Sequence, residues 1–96
     1  MKCEVMKLIG RNLMYARCQE LKTQGFSISK KISFEEFDRH EFEAWTDECR
    51  NLLSLCQPEQ YFPMNLKPSQ IEWLLMVLSD TRHKIFKGEI EYQGLL

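Results

Sequence analysis

Glycine and histidine are scarce in this 96-residue chain, with four and two copies respectively. The four glycines are scattered, so none of them belongs to a glycine-rich loop of the kind that cradles phosphate. His40 and His83 lie in no metal-binding or hydrolase spacing, and neither G-x-S-x-G nor H-E-x-x-H occurs. Because no nucleophile can be named together with its base, the sequence predicts a protein that is not an enzyme, with no catalytic residue, cofactor, metal or small-molecule substrate.

Long hydrophobic runs are missing as well. No stretch approaches the roughly 18 apolar residues that cross a bilayer, and the first residues, "MKCEVMKLIGRN", do not resemble a secretory signal. The four cysteines form no C-x-x-C pair, and Cys49 and Cys56 would lie roughly 10 Å apart along a helix, too far for a disulfide. These features predict a cytoplasmic protein with free thiols and no membrane contact.

The length, apolar content of 44% and charged content of 28% are typical of one small globular domain, predicted to span residues 1–96. The net charge of -1 hides a strong asymmetry. Residues 1–31 carry seven Lys or Arg and two Glu, residues 32–65 carry two Arg and eight Asp or Glu, and residues 66–96 carry four of each sign. A basic segment followed by an acidic one suits an antiparallel helix pair, and it also suits a basic face for nucleic acid.

Apolar periodicity predicts an all-α fold, a small bundle of three main helices over about residues 3–24, 38–56 and 69–87. In the first helix, Gly25 is expected to act as the stop. Residues 26–34 alternate weakly and are interpreted as an extended connector. The apolar arc of the first helix is expected to comprise Val5, Met6, Ile9, Leu13 and Ala16.

Capping signals predict where the other two helices begin and end. Asp38 with Glu41 fits a capping box at the start of the second helix, and Pro58 ends that helix. Ser69 with Glu72 fits the start of the third helix, and Gly88 its end. Residues 57–68 hold all three prolines and form an extended connector, whose large side chains Tyr61, Phe62 and Leu66 are expected to fold back onto the core.

The stretch "IEWLLMVLSD", residues 71–80, is more apolar than one buried helix face requires. One arc suffices for docking onto the other helices, while Trp73 and Val77 point the other way, flanked by Met76. This second face is expected to be covered by residues 89–96, which could include a short extra helix, or by a partner chain. The predicted partner-binding residues are therefore Trp73, Met76, Val77, Asp80 and Lys84.

The partner is predicted to be a second copy, giving a dimer, or another protein. The alternative function is that of a nucleic-acid-binding accessory protein. The sequence pI of about 6.1 argues against nucleic acid as the main ligand. The candidate nucleic-acid-binding residues lie on and just after the basic first helix: Lys7, Arg11, Lys22, Lys30 and Lys31.

Two segments carry a resemblance to a known kind of module. "EFEAWTDECRNLLSLC", residues 41–56, places Phe42 and Trp45 before a leucine run, and "IEWLLMVLSDTRHKIFKGEIE", residues 71–91, ends its helix through Leu78, Ile85 and Gly88. The pattern covers about half the chain and resembles small helical N-terminal domains of bacterial defence and abortive-infection proteins, and uncharacterised standalone bacterial proteins. The resemblance implies a recognition or assembly role without catalytic residues. The chain departs from those defence proteins in having no evident effector domain.

Overall fold

Across residues 2–90, the fold is a bundle of three α-helices. The computed structural model describes the backbone of residues 2–90 and the side chains of residues 10–90. Helix α1 spans Lys2–Ser33, α2 spans Arg39–Cys56 and α3 spans Ile71–Phe86, with a 3-10 turn at Pro68–Gln70 leading into α3. This confirms the predicted all-α class. Over the described part of the chain, no helix combines the length and apolar character needed to cross a membrane.

Helix α1 is the central element, against which both other helices pack. Its 32 residues extend about 48 Å at the usual rise per residue, close to the longest molecular dimension of 51 Å. Helix α2 runs antiparallel to α1. The Lys31–Glu41 ion pair (2.7 Å) holds the end of α1 to the start of α2, and Arg17 meets Glu48 at 2.9 Å farther along.

Helix α3 also runs antiparallel to α1. Lys22 of α1 donates a hydrogen bond to the hydroxyl of Ser79 at 2.9 Å, and Arg82, nearly one turn later in α3, donates to Gln19, nearly one turn earlier in α1. Helices α2 and α3 are therefore parallel to each other. The connector of residues 57–67 must consequently carry the chain back along the bundle before α3 begins.

Gly25 does not end α1, contrary to the prediction from the sequence. A methyl group at this buried position would lie 2.5 Å from Cζ2 of Trp45 and 2.6 Å from Cδ2 of Leu75. Because glycine has no side chain, α2 and α3 can both pack closely against α1 at the position of Gly25. Residues 26–33, predicted to be an extended connector, instead continue the helix.

The true end of α1 carries no glycine. The N–H of Glu36 donates to the carbonyl of Lys31 at 2.7 Å and the N–H of Glu35 donates to that of Ile32 at 3.2 Å, which is a Schellman arrangement. Glu35 takes the left-handed conformation, with φ of 59°, at a cost of about 1–2 kcal/mol for a residue other than glycine. The usual sequence signal for a helix end is therefore missing here.

The buried stripe of α1 also differs from the predicted arc. After the buried Gly10 and Met14, it continues at alternating spacings of four and three through Cys18, Leu21, Gly25 and Ile28. Leu13, which was expected to be buried, is 58% exposed, and Ala16 is exposed as well. The stripe was missed because it includes small residues and continues past Gly25; the expected core positions Val5, Met6 and Ile9 lie outside the described side chains.

Helix α2 starts one residue after the predicted position. The Asp38 carboxylate accepts a hydrogen bond from the N–H of His40 at 2.9 Å, and this caps the helix. Glu41 does not complete a capping box, because its carboxylate binds Lys31. Trp45 lies at the centre of the core with 2% of its surface exposed, and its indole N–H donates to the carbonyl of Leu21 at 2.8 Å.

Helix α3 ends as expected at Gly88, which has φ of 76°. The N–H of Glu89 donates to the carbonyl of Lys84 at 2.9 Å, closing a second Schellman motif. At the other end, the capping box predicted for Ser69 does not form; instead, Gln70 accepts from the N–H of Lys67. Ile90 packs against the core, and residues 91–96, where a further helix or cover was predicted, lie outside the described residues.

The connector of residues 57–67 covers one side of α3. Phe62 packs edge-on against Trp73, with ring centroids 6.3 Å apart, and the hydroxyl of Thr81 donates to Gln57 at 2.6 Å. The expected return of Phe62 and Leu66 to the core is confirmed, whereas Tyr61 is 75% exposed. The chain's own connector thus covers the extra apolar side of α3 at Trp73.

Arg50 of α2 fastens this connector. Its guanidinium donates to the carbonyl oxygens of Pro63 (3.3 Å) and Met64 (3.2 Å) and lies 4.9 Å from the centroid of the Phe62 ring. We expect Arg50→Ala to lower the free energy of unfolding by about 1–2 kcal/mol, since two charge-assisted bonds and a cation–π contact are lost. Chymotrypsin should also cleave the connector after Tyr61 sooner than in the native protein. Limited proteolysis and urea titration test this.

Arg39→Ala is the matched control, because Arg39 is an exposed arginine of the same helix. No hydrogen bond joins it to the connector among the described side chains. Equal cleavage rates in the two variants would contradict the fastening role of Arg50.

Candidate interaction surface

The predicted partner-binding residues of α3 do not form one exposed face. Val77 is only 7% exposed and belongs to the core, so its assignment to a partner surface was wrong. Trp73 is half-buried beneath Phe62. Met76 is 63% exposed, as an interaction residue would be. Asp80 and Lys84 form an ion pair with each other at 3.2 Å on the outer side of the helix.

The predicted basic residues of α1 are also divided between different sides. Lys31 faces α2 and is neutralised by Glu41, whereas Lys22 faces α3. Arg11 and Lys30 are exposed, and the side chain of Lys7 lies outside the described residues. These residues therefore do not form one continuous basic patch along the helix.

A different basic pair lies where α1 and α3 meet. Lys22 donates to Ser79, while Arg82 donates to Gln19 and has its guanidinium 5.8 Å from the Tyr15 ring centroid. Partial burial lowers the pKa of Lys22, and the neighbouring positive charge of Arg82 lowers it further. Gln19 and Lys22 lie three positions apart on α1, and Ser79 and Arg82 lie three apart on α3, so the two hydrogen bonds bring both cations to the same junction.

Both cations have neutral hydrogen-bonding partners. The ion pairs formed by the described side chains all involve other cations, namely Arg17 with Glu20 and Glu48, Lys31 with Glu41, Arg50 with Asp47, and Lys84 with Asp80. Among the described side chains, neither Lys22 nor Arg82 lies within ion-pairing distance of a carboxylate. The junction is therefore a positive spot on the described surface.

Apolar side chains lie on both sides of this spot. At one end, Phe86 is 72% exposed and its ring centroid is 6.4 Å from that of Tyr15. A shallow cavity of about 360 Å³ lies at this end, lined by Arg11, Asn12, Tyr15, Ile85 and Phe86. At the other end, Phe26 is 53% exposed one turn after Lys22, and Met76 is exposed nearly one turn before Ser79.

These residues define a surface that we call the α1–α3 face. Its α1 side follows helical spacing through Tyr15, Gln19, Lys22 and Phe26. Its α3 side follows the same kind of spacing through Met76, Ser79, Arg82 and Phe86. The arrangement can hold an elongated ligand with apolar groups at its ends and negative charge in the middle.

Most of this face was not predicted from the sequence. Met76 and Lys22 were assigned, to two different functions, while the remaining six positions were missed. The i, i+4 spacing of Lys22 and Phe26 would have shown part of it, had α1 been extended past Gly25. The pairing with Arg82 depends on the antiparallel register between two helices about 60 residues apart in the chain, which periodicity does not reveal.

The buried thiols offer no second site. Cys18, Cys49 and Cys56 are buried and free of disulfides. Burial raises the pKa of Cys18 and of Cys49 to about 12 and that of Cys56 to about 11, so the thiols stay protonated at neutral pH. Across the described residues, no group of three His, Cys, Asp or Glu side chains is placed to hold a metal ion.

No family model, curated protein or solved structure matches the chain. The resemblance to domains of bacterial defence proteins therefore stays a prediction.

Proposed function

We propose that this protein is a non-catalytic interaction module that binds another protein through the α1–α3 face. The observation that carries the proposal is the set of large apolar side chains exposed around one positive spot, where Phe26 (53%), Met76 (63%) and Phe86 (72%) are all more than half exposed. Exposed apolar and aromatic groups surrounded by polar residues are typical of protein interfaces. A link to bacterial or phage defence remains part of this proposal, supported only by the resemblance of the sequence.

The partner we propose is a different protein. The predicted dimer rested on the second apolar side of α3, where Phe62 of the connector covers Trp73 and where Val77 is buried in the core. A twofold contact through the α1–α3 face would place Lys22 and Arg82 against the same two cations of the second copy. Repulsion at the centre of such a contact disfavours self-association through this face.

Nucleic-acid binding by α1 is the second candidate function, and the Lys22–Arg82 pair is the observation that favours it. This function would predict retention on DNA or RNA that weakens steeply as salt rises. The neutralisation of Lys31 and the apolar ends of the face count against it.

Site-specific photo-crosslinking in the cells that express the protein tests the proposal. A photoreactive phenylalanine analogue at Met76 should give one discrete adduct with another protein, and the same analogue at Ser54, exposed on α2, should not. The adduct at Met76 should disappear when Phe26→Asp is added, because that change places a charge in the apolar end of the face. Adducts of equal yield from both positions, or no protein adduct, would remove the proposed function.

Sedimentation of the purified protein gives an independent check of the partner's identity. We expect a monomer at tens of micromolar, with no change on Met76→Glu. A dimer that Met76→Glu dissociates would restore the original prediction of self-association through α3.

A further inference from the structure

We infer that the α1–α3 face binds an acidic amphipathic helix whose carboxylates meet Lys22 and Arg82 and whose large apolar side chains lie at either end of the face. This inference rests on the proposed function and names the chemistry of its partner. It follows from the charge at the centre, the spacing of the apolar ends, and the poor fit of other occupants.

The centre of the face favours carboxylates. An ammonium group has three N–H donors and a guanidinium has five, and each of these cations makes one hydrogen bond, to Ser79 or Gln19. Spare donors therefore remain on both. The nearby carboxylates of Glu20 and Asp80 pair with Arg17 and Lys84 instead, and no described carboxylate forms an ion pair with Lys22 or Arg82.

The apolar ends set the length of the ligand. Tyr15 and Phe26 are separated by 11 positions on α1, which corresponds to about 16 Å. A partner helix of roughly three turns would span this distance, with acidic residues on its middle turns and a large apolar residue near each end. One apolar residue would enter the cavity beside Tyr15 and Phe86, and the other would contact Phe26 and Met76.

The chain's own acidic helix does not have this pattern. The outer side of α2 carries Glu43 and Asp47 at i, i+4 spacing, followed by Asn51 and then by Leu55, the exposed large apolar residue of this helix, at 47%. A second copy docked by its α2 would therefore leave one apolar end of the face without a partner. Nucleic acid would leave both ends without partners, since phosphates bring charge alone along their backbone.

Fluorescence anisotropy with the full-length protein tests the inference. The probe is a labelled synthetic peptide of about four helical turns, with two leucines eleven positions apart enclosing two glutamates on the same side. We expect saturable binding, weakened about tenfold or more by Arg82→Glu and by Lys22→Glu. Lys67→Glu, a reversal on the connector, is the matched control and should leave the affinity unchanged.

Two further peptides separate charge from apolar contact. Replacing both glutamates by glutamine, or both leucines by alanine, should each reduce binding about tenfold or more. A peptide with lysines in place of the glutamates should bind the Arg82→Glu variant better than it binds the native protein, which a merely structural role of Arg82 would not produce. Circular dichroism of each variant verifies that the fold is retained.

The possible failures are distinguishable. The acidic-helix inference would be overturned by equal binding of the glutamine peptide, by an equal loss with Lys67→Glu, or by no binding of any peptide. In each of these cases, a crosslink at Met76 would still support the proposed function. Tighter binding of a DNA duplex, lost on Arg82→Glu, would overturn the inference in favour of nucleic acid. Absence of both the crosslink and peptide binding would overturn the two proposals together.

Discussion

Replacing Trp45 by alanine should lower the free energy of unfolding by about 3–5 kcal/mol. The indole is 2% exposed, packs against Phe42 with ring centroids 6.2 Å apart, and bonds the carbonyl of Leu21 across the α1–α2 contact. Its removal leaves a large cavity between helices and deletes a buried hydrogen bond. For a domain of this size, the loss is a large fraction of the total stability, so the urea midpoint should fall well below that of the native protein.

Urea titration followed by circular dichroism measures the effect without relying on tryptophan fluorescence. Trp45→Phe is the companion variant that should stay folded, with a smaller loss of about 1–2 kcal/mol. Trp73→Ala is the matched control, because Trp73 is only half-buried at the connector. A loss for Trp73→Ala equal to that for Trp45→Ala would contradict the central role of Trp45.

Gly25→Ala should destabilise the fold by about 1–3 kcal/mol, although alanine is favoured over glycine in a helix by about 1 kcal/mol. The added methyl group would collide with Leu75 and Trp45. The Leu75 side chain can rotate away, whereas the Trp45 ring is held by its hydrogen bond to Leu21. The collision with Trp45 is therefore expected to make Gly25→Ala lower the free energy of unfolding, despite the helix preference of alanine. Thermal and chemical unfolding measure this change.

A double-mutant cycle isolates this cause. Trp45→Phe removes the part of the indole that contains Cζ2, the atom nearest to the added methyl group. In that background Gly25→Ala should cost at least about 1 kcal/mol less than in the native protein. Ser27→Ala, at an exposed position on the same helix, should change the stability by less than about 0.5 kcal/mol. Additive effects in the cycle would exclude the collision as the cause.

The second and third helices could be predicted within two residues because local chemistry marks their ends. Asp38 caps α2, Pro58 follows it, and Gly88 adopts the left-handed conformation after α3. Helix α1 lacks such marks, since Glu35 occupies the left-handed position where glycine is usual. Gly25 then suggested a false end. Its role is contact between helices, and a sequence pattern alone does not distinguish the two roles of glycine.

The candidate site could be predicted only in fragments. The sequence indicated that α3 had more apolar surface than one face requires, and Met76 is indeed exposed. It indicated that Phe62 returns to the core but not that it covers Trp73, because the path of an irregular connector leaves no periodic signal. Nor did it join Lys22 to Arg82, whose proximity depends on the pairing of helices distant in the chain.

The division of the α1–α3 face between α1 and α3 has a consequence for the partner binding proposed above. Lys22 and Ser79 are 57 positions apart, so neither helix displays the full surface by itself, and a peptide copy of α3 should not compete for the partner. Any partner that needs both helices binds only the completed fold and stabilises it by mass action. Binding would therefore also select for the correct fold, because a misassembled or truncated chain would not bind the proposed partner.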